Sequence, residues 1–191
     1  MNPEFALDLV WIAWFASWII AAAWSSRPAA KPRLRRELEY RVITAIGGYL
    51  LFFPRALIFQ AASWSACSGL GWIMVAVVLA GLAFTWWARL HLGLLWSSGI
   101  TRKPEHQVID SGPYRVVRHP IYTGLILAVI ATAVIRGRLQ GIVGVVLVIA
   151  GFVIKARLEE QFLREQLGGE SYGAYAGRTP MLLPLPRRRP S

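Results

Sequence analysis

The chain has 191 residues and a formal net charge of +11, yet only 16% of its residues are charged and 55% are hydrophobic. A soluble domain of ordinary composition carries about 25% charged residues, so this chain is short of the surface that keeps a globule in water, and its mean hydropathy of +0.46 indicates a membrane protein. The positive charge is gathered between apolar runs rather than spread over a soluble aromatic surface, so attraction to anionic lipid accounts for it and a nucleic-acid-binding role is set aside.

The first apolar run covers about residues 7–24 and carries Trp11, Trp14, Trp18 and Trp24. Indole favours the membrane–water boundary, and nine tryptophans in a chain this short reinforce the membrane reading. Acidic Glu4 and Asp8 precede the run in place of a basic segment, with no small-residue cleavage site, so it reads as a retained span. An Arg- and Pro-rich loop over residues 27–41 leads to a second span at about 42–62, interrupted by Pro54-Arg55. There the proline kinks the helix and the arginine must snorkel or find a partner. A turn at residues 63–69 holds Cys67, the single cysteine, which has no internal disulfide partner and no neighbouring metal ligands. A third span follows at about 70–90, and then a polar stretch over residues 91–119.

Residues 121–135 are apolar but too few to cross a hydrocarbon core of roughly 30 Å unless one end is sunken or the bilayer thins. The tight turn Arg136-Gly137-Arg138 returns the chain into a partner helix over residues 139–154, and Gly137, Gly141, Gly144 and Gly151 offer small surfaces for close packing of this hairpin. An amphipathic charged helix over residues 155–167 ends at Gly168-Gly169. A short helix or turn carries Tyr172 and Tyr175, and residues 179–191 form a Pro-rich tail with Arg187, Arg188 and Arg189. The expected fold is an all-α integral membrane protein of about five transmembrane helices, with a tight C-terminal hairpin and a cytoplasmic amphipathic helix. It forms a single membrane domain over 1–191: three spans in 1–90, a site-bearing region in 91–184 and a basic tail in 185–191.

The cations orient this topology. Six Lys and Arg lie in residues 27–41, five in 89–118 and seven from 155 onward, leaving Arg55, Arg136 and Arg138. Five spans put the three large groups on one side, which the positive-inside rule makes cytoplasmic, with the N-terminus outside. The polar stretches 91–119 and 155–178 then share that face, joined by a short hairpin.

In the first stretch Gly112-Pro113 marks a turn, Arg115, Arg118 and His119 follow, and Pro120 opens the short helix at a first-turn position. A helix N-terminus favours anionic ligands; an Arg/His cluster holding lipid phosphate is the alternative. In the second stretch Glu159-Glu160 are flanked by Lys155 and Arg157, and Lys155 can pair with Glu159 across one helical turn. Spacing alone favours a structural ion-pair ladder; position, facing a basic loop at the membrane exit, favours a site. The three histidines, His91, His106 and His119, match no metal-ligand spacing.

Taken together, Gly112-Pro113-Tyr114-Arg115, Arg118-His119-Pro120, Tyr122 and Gly124, followed by Glu159-Glu160 and then Tyr172, Tyr175 and Thr179-Pro180, resemble the isoprenylcysteine carboxyl methyltransferase family, with a looser version in phospholipid N-methyltransferases. The resemblance covers about residues 92–184 and implies a multi-span helical fold whose C-terminal half wraps S-adenosylmethionine without a Rossmann domain; no Gly-x-Gly-x-x-Gly motif is present. Carried over by position, it implies cofactor contacts from His106, Gln107, Val108, Ile109, Tyr114, His119, Pro120, Ile121, Tyr122, Glu159 and Glu160. It implies catalytic roles for Arg118, His119 and Glu159. The family has an arginine four residues before the glutamate that contacts the substrate carboxylate; here that position is Lys155, which keeps the charge but loses the bidentate fork. On this reading Glu159 and Glu160 hold the cofactor's ammonium group, His119 its carboxylate or ribose, and Tyr114 and Tyr122 pack on the adenine or close the pocket. Arg118 or Lys155 steers an anionic substrate. The expected partners are a lipophilic or lipidated acceptor and membrane lipid. The acceptor is left open between carboxylate, amine and thiol, and an NADPH-dependent sterol-reductase-like enzyme and a non-catalytic lipid-binding protein stand as alternatives.

Overall fold

Apolar runs bounded by Gly and Pro become helices. A computed structural model describes residues 2–22, 34–53, 63–93, 109–167 and 169–184, which form α1 (Pro3–Ala22), α2 (Leu34–Phe52), α3 (Ser68–Leu92), α4 (Pro113–Val116), α5 (Pro120–Arg136), α6 (Leu139–Leu167) and α7 (Gly169–Arg178). Among the described residues there is no β-strand, only one isolated bridge between Ser63 and Arg138.

Three helices are long and apolar enough to cross a membrane, over Pro3–Ala22, Ser68–Leu92 and Leu139–Glu165, while Pro120–Arg136 is a shorter apolar helix. At about 1.5 Å per residue, the 29 residues of α6 reach about 44 Å. That exceeds a hydrocarbon core of roughly 30 Å, so the charged C-terminal part of α6 projects beyond the apolar slab.

Tertiary contacts fix the direction of each helix. At one end, Arg89 near the end of α3 donates to the Ala21 carbonyl at the end of α1 (2.8 Å) and to Gly93 (2.8 Å). At the other end, Arg136 closing α5 pairs with Asp8 on α1, the Trp64 amide donates to the Gly137 carbonyl (2.8 Å), and Gln140 opening α6 donates to the Phe53 carbonyl (3.1 Å). Successive long helices therefore run in alternating directions. In the core between the ends, the Trp11 indole donates to Thr132 (2.9 Å) and the Trp14 indole to Thr85 (3.0 Å), tying α1 to α5 and α3. The opposite face of α1 exposes Phe5, Leu9, Ile12, Phe15, Ile19 and Ile20, an apolar surface suited to lipid.

Three sequence expectations need correction. The second helix begins eight residues earlier than residue 42 and stops at Phe52, before Pro54; a proline disfavours the helical conformation of the residue before it. Residues 34–41, read as loop, are helical, and the Glu37–Arg41 pair (3.1 Å) supports that turn. The amphipathic segment from Lys155 is not a separate helix but the continuation of α6, since no glycine or proline interrupts it. The glycines of the hairpin mostly serve another contact: a Cβ on Gly144 would lie 2.6 Å from the Gly47 carbonyl oxygen, and Gly151 abuts Thr44 and Tyr40, so α6 packs more closely along α2 than along α5, which Gly141 meets at Ala133. A matching crossing joins α3 to α5, where a Cβ on Gly81 would lie 2.6 Å from the Gly124 carbonyl. Trp24, residues 27–33, Pro54-Arg55, Gly168 and the basic tail 185–191 lie outside the described residues.

Candidate active site

The end of the bundle marked by Arg89 and Ala21 is where the polar residues gather. Gly112 starts the approach with φ +56, and a Cβ there would lie 2.7 Å from the His91 ring, so both its backbone and its surroundings call for glycine. Pro113 then opens the single turn of α4. Val117 returns to extended backbone, His119 caps α5 with φ −124, and Pro120 takes the first helical position, where no amide donor is needed.

The last described residues, 179–184, cross this turn as a strap. The Arg118 amide donates to the Pro180 carbonyl (2.9 Å), the His119 amide to Met181 (3.1 Å), and the Thr123 hydroxyl to Leu182 (2.7 Å). α7 adds the Tyr175 hydroxyl, which donates to the Tyr114 carbonyl (2.7 Å). Burial pushes the Tyr175 phenol up to about 12, so it keeps the proton it donates.

The side chains of this turn meet Glu159 and Glu160 of α6. Arg118 forks onto Glu160, from Nε to Oε1 (2.7 Å) and from one terminal nitrogen to Oε2 (3.1 Å), while its other terminal nitrogen donates to the Ala176 (2.9 Å) and Thr179 (2.6 Å) carbonyls. His119 stands between the glutamates, with Nε2 3.1 Å from Glu160 and Nδ1 3.5 Å from Glu159. A neutral imidazole donates from one nitrogen only, so facing two carboxylates favours the imidazolium. Burial alone would lower the His119 pKa, but the hydrogen bonds and charges of Glu159 and Glu160 outweigh it and raise it.

Glu159 is held more loosely. It accepts from the Tyr122 hydroxyl (2.7 Å), and its other partners are His119 at 3.5 Å and the Lys155 ammonium at 4.0 Å. Its side chain is 21% exposed, against 11% for Glu160. The aromatic floor is layered: His119 stacks on Tyr122 (5.4 Å between ring centroids), and Tyr122 on Phe152 (5.1 Å). Lys155 lies over the Tyr122 ring at 5.3 Å and the Tyr40 ring at 5.6 Å.

Of the residues singled out from sequence, Arg118, His119, Tyr122, Lys155, Glu159 and Glu160 are thus joined in one cluster, with Pro120 shaping its helix start. Arg118 is buried and spent on Glu160 and two carbonyls, which sets it apart from a residue that steers substrate from the surface. Tyr114 sits one layer away, buried beside His91, its phenol raised by burial and by the nearby Glu159 charge. Ile121 is half-buried in the first turn of α5. Ile109 precedes Asp110, which pairs with Arg178 of α7, so its position is on that flank. His106, Gln107 and Val108 lie outside the described residues. Among the described residues, no group of three or more His, Cys, Asp or Glu could hold a metal ion.

Two participants went unrecognised in the sequence. Phe152, Lys155 and Glu159 share one face of α6 by their spacing of three and four residues, a signal that was available. Tyr40 carries no local signal, because only the α2–α6 crossing brings it to Lys155.

A helical bundle with three helices of membrane-spanning length and a buried charge cluster at one end defines an α-helical integral membrane protein. Residues 73–165 match the model of the Isoprenylcysteine carboxyl methyltransferase (ICMT) family, and this stretch contains every member of the charged cluster except the strap and α7. The chain is 32% identical over 111 residues to "Probable protein-S-isoprenylcysteine O-methyltransferase" of Oryza sativa subsp. indica, covering 58% of this chain and 53% of the rice protein. It is 28% identical over 137 residues to "Protein-S-isoprenylcysteine O-methyltransferase B" of Arabidopsis thaliana, covering 71% and 66%. The chain thus spans about half the length of the rice relative it matches. Over this stretch the chain is similar to the isoprenylcysteine carboxyl methyltransferase family.

Proposed function

We propose that this chain is a membrane-embedded, S-adenosylmethionine-dependent methyltransferase acting on a lipophilic acceptor, with carboxyl O-methylation of an isoprenylcysteine-type acid as its reaction. The observation that carries the reading is the His119 bridge: the Arg118-His119-Pro120 turn and Glu159-Glu160, far apart in sequence, share one buried cluster. The named relatives add the reaction type.

The residues fit the cofactor's chemistry. The cofactor's ammonium and sulfonium groups need a carboxylate that is present but not saturated, and Glu159 is partly exposed with two of its three contacts long. Glu160, held by Arg118, acts by orienting His119. The stacked rings of Tyr122 and Phe152 offer a flat apolar wall, with Tyr114 behind. When bound, the cofactor supplies an electrophilic methyl group. A carboxylate acceptor is already ionised at neutral pH, so the protein's part is to align acceptor and donor and exclude water. Lys155 is the cation that would face the acceptor, and Arg118 is a positioning residue. His106 to Ile109, Ile121 and Pro120 complete the cofactor contacts that the family pattern assigns. The proposed topology has five spans, with α2 and α5 as the second and fourth, the N-terminus outside, and the site on the cytoplasmic face.

Photocrosslinking of radiolabelled S-adenosylmethionine to the purified chain in detergent tests this. Saturable labelling competed by S-adenosylhomocysteine and not by NADPH is expected, and Glu159→Gln should weaken binding by about tenfold, as for loss of one charge-assisted contact. Competition by NADPH alone would point to a reductase, and absence of saturable labelling would remove the cofactor site.

A further inference from the structure

We infer that Tyr40 of α2 is a specificity-determining residue whose hydroxyl, beside the Lys155 ammonium, binds the carboxylate of the acceptor. Tyr40 is 4% exposed and its hydroxyl is buried; the neighbouring Arg41 guanidinium can only donate to it, so the phenol proton has no acceptor among the described residues. A buried phenol ordinarily finds an acceptor for its proton, so this one has a donor to place.

Its position is enforced. The Thr44 hydroxyl donates to the Tyr40 carbonyl (2.7 Å), and a Cβ on Gly151 would lie 3.2 Å from that same carbonyl oxygen. The backbone of Tyr40 is therefore pressed against α6 one turn before Lys155. The Lys155 ammonium then lies between two rings, 5.6 Å from the Tyr40 centroid and 5.3 Å from that of Tyr122. Lys155 also pairs with Glu159 at 4.0 Å, so the same ammonium links Tyr40 to the proposed cofactor carboxylate. The hydroxyl of Tyr122, by contrast, is committed to Glu159 (2.7 Å).

The chemistry of the pair selects the ligand. An ammonium offers only donors, and the phenol beside it has a donor to place. A cationic amine acceptor would be repelled by Lys155, and a thiol would leave the phenol proton poorly matched. A carboxylate accepts from both groups, one oxygen each. The geometry also gives α2 a share in acceptor recognition, although it lies before the 73–165 family match. The inference rests on the proposed methyltransferase reading for its ligand class and deepens it.

The test uses the full chain in detergent and a farnesyl thioether of acetic acid, with its primary amide as control. The wild type should bind the acid, and Tyr40→Phe should bind it about tenfold more weakly, as expected for one hydrogen bond to a charged group. Both proteins should bind the amide alike. Lys155→Gln should likewise lose the preference for acid over amide. S-adenosylmethionine affinity of Tyr40→Phe should be unchanged, and its melting temperature unchanged or higher, because the substitution removes a buried hydroxyl whose proton has no acceptor. Equal acid affinity in wild type and Tyr40→Phe would overturn the inference, as would a fall in melting temperature that marks the hydroxyl as structural. A wild type that binds S-adenosylmethionine but not the acid would overturn this inference alone, whereas failure to bind S-adenosylmethionine would sink the methyltransferase reading itself.

Discussion

Arg118→Ala removes four hydrogen bonds at once: two to Glu160 (2.7 and 3.1 Å) and one each to the carbonyls of Ala176 (2.9 Å) and Thr179 (2.6 Å). The pair is buried, with side-chain exposures of 7% and 11%, so it does not belong with surface ion pairs worth about 0–1 kcal/mol. Truncating one partner of a buried pair costs about 3–5 kcal/mol, because the other charge stays desolvated. For a chain of this size each kcal/mol shifts the melting temperature by about 2–4 °C, so a fall of about 6–20 °C is expected. The nine tryptophans report the transition by fluorescence in detergent. Hydrogen exchange should quicken at the Arg118 and His119 amides, whose acceptors are Pro180 and Met181 of the strap. Arg118→Lys should fall between, since a lysine keeps the charge without the fork. Replacing both residues by methionine should recover much of the loss, because no buried charge is then stranded. A fall of less than about 3 °C for Arg118→Ala, or a double variant no more stable than the single one, would refute the clamp.

The His119 pKa is raised above its ordinary value, so the stabilisation it contributes is full below about pH 6.5 and is lost as pH rises through the raised value; the melting temperature should decline on the alkaline side, and His119→Gln should flatten that decline. A stability that rose with pH across this range would contradict the imidazolium bridge. Gly144→Ala should destabilise by about 1–3 kcal/mol, because its Cβ would meet the Gly47 carbonyl at 2.6 Å and the Leu51 amide at 3.1 Å. Gly48→Ala, with nothing within 4 Å, should instead gain about 0.5–1 kcal/mol in thermal unfolding. Cys67 is exposed just before α3, at the end of the bundle away from His119. In the proposed orientation a membrane-impermeant maleimide should label it in intact cells; labelling confined to inverted vesicles would reverse the topology.

The long apolar helices were legible because their runs are bounded by residues with a physical stop signal. Gly137 closes α5 in the left-handed region, with its amide on the Ala133 carbonyl, and Pro120 opens it. The start of α2 was not legible, because charge at residues 35–41 was read as loop, whereas a helix tolerates charge where it leaves the apolar slab and a Glu37–Arg41 pair spans its turn. The small surfaces of Gly144 and Gly151 correctly indicated close approach. Nothing local to them indicated which helix would approach, and the hairpin partner was the nearer guess in sequence. Only the antiparallel contact of α2 with α6 answers that, and the same contact brings Tyr40 to Lys155.

Glu159 and Glu160 show where a motif stops being informative. Side by side in sequence, they point about 100° apart around α6, and that rotation divides their work. Glu160 turns toward Arg118 and α7, where the guanidinium saturates it. Glu159 turns toward α5 and the aromatic stack, where Tyr122 alone holds it closely. His119 touches both, so the rigid glutamate fixes the ring that faces the available one. The rigidity in turn depends on carbonyls of Ala176 and Thr179 and on the strap at Pro180 and Met181, all beyond the family-matched stretch that ends at residue 165. The proposed site would have its ligand-facing groups on α5 and α6 and its stiffness supplied from α7 onward. Changes in residues 172–182 should therefore alter the orientation of His119 before they alter the charge that Glu159 presents.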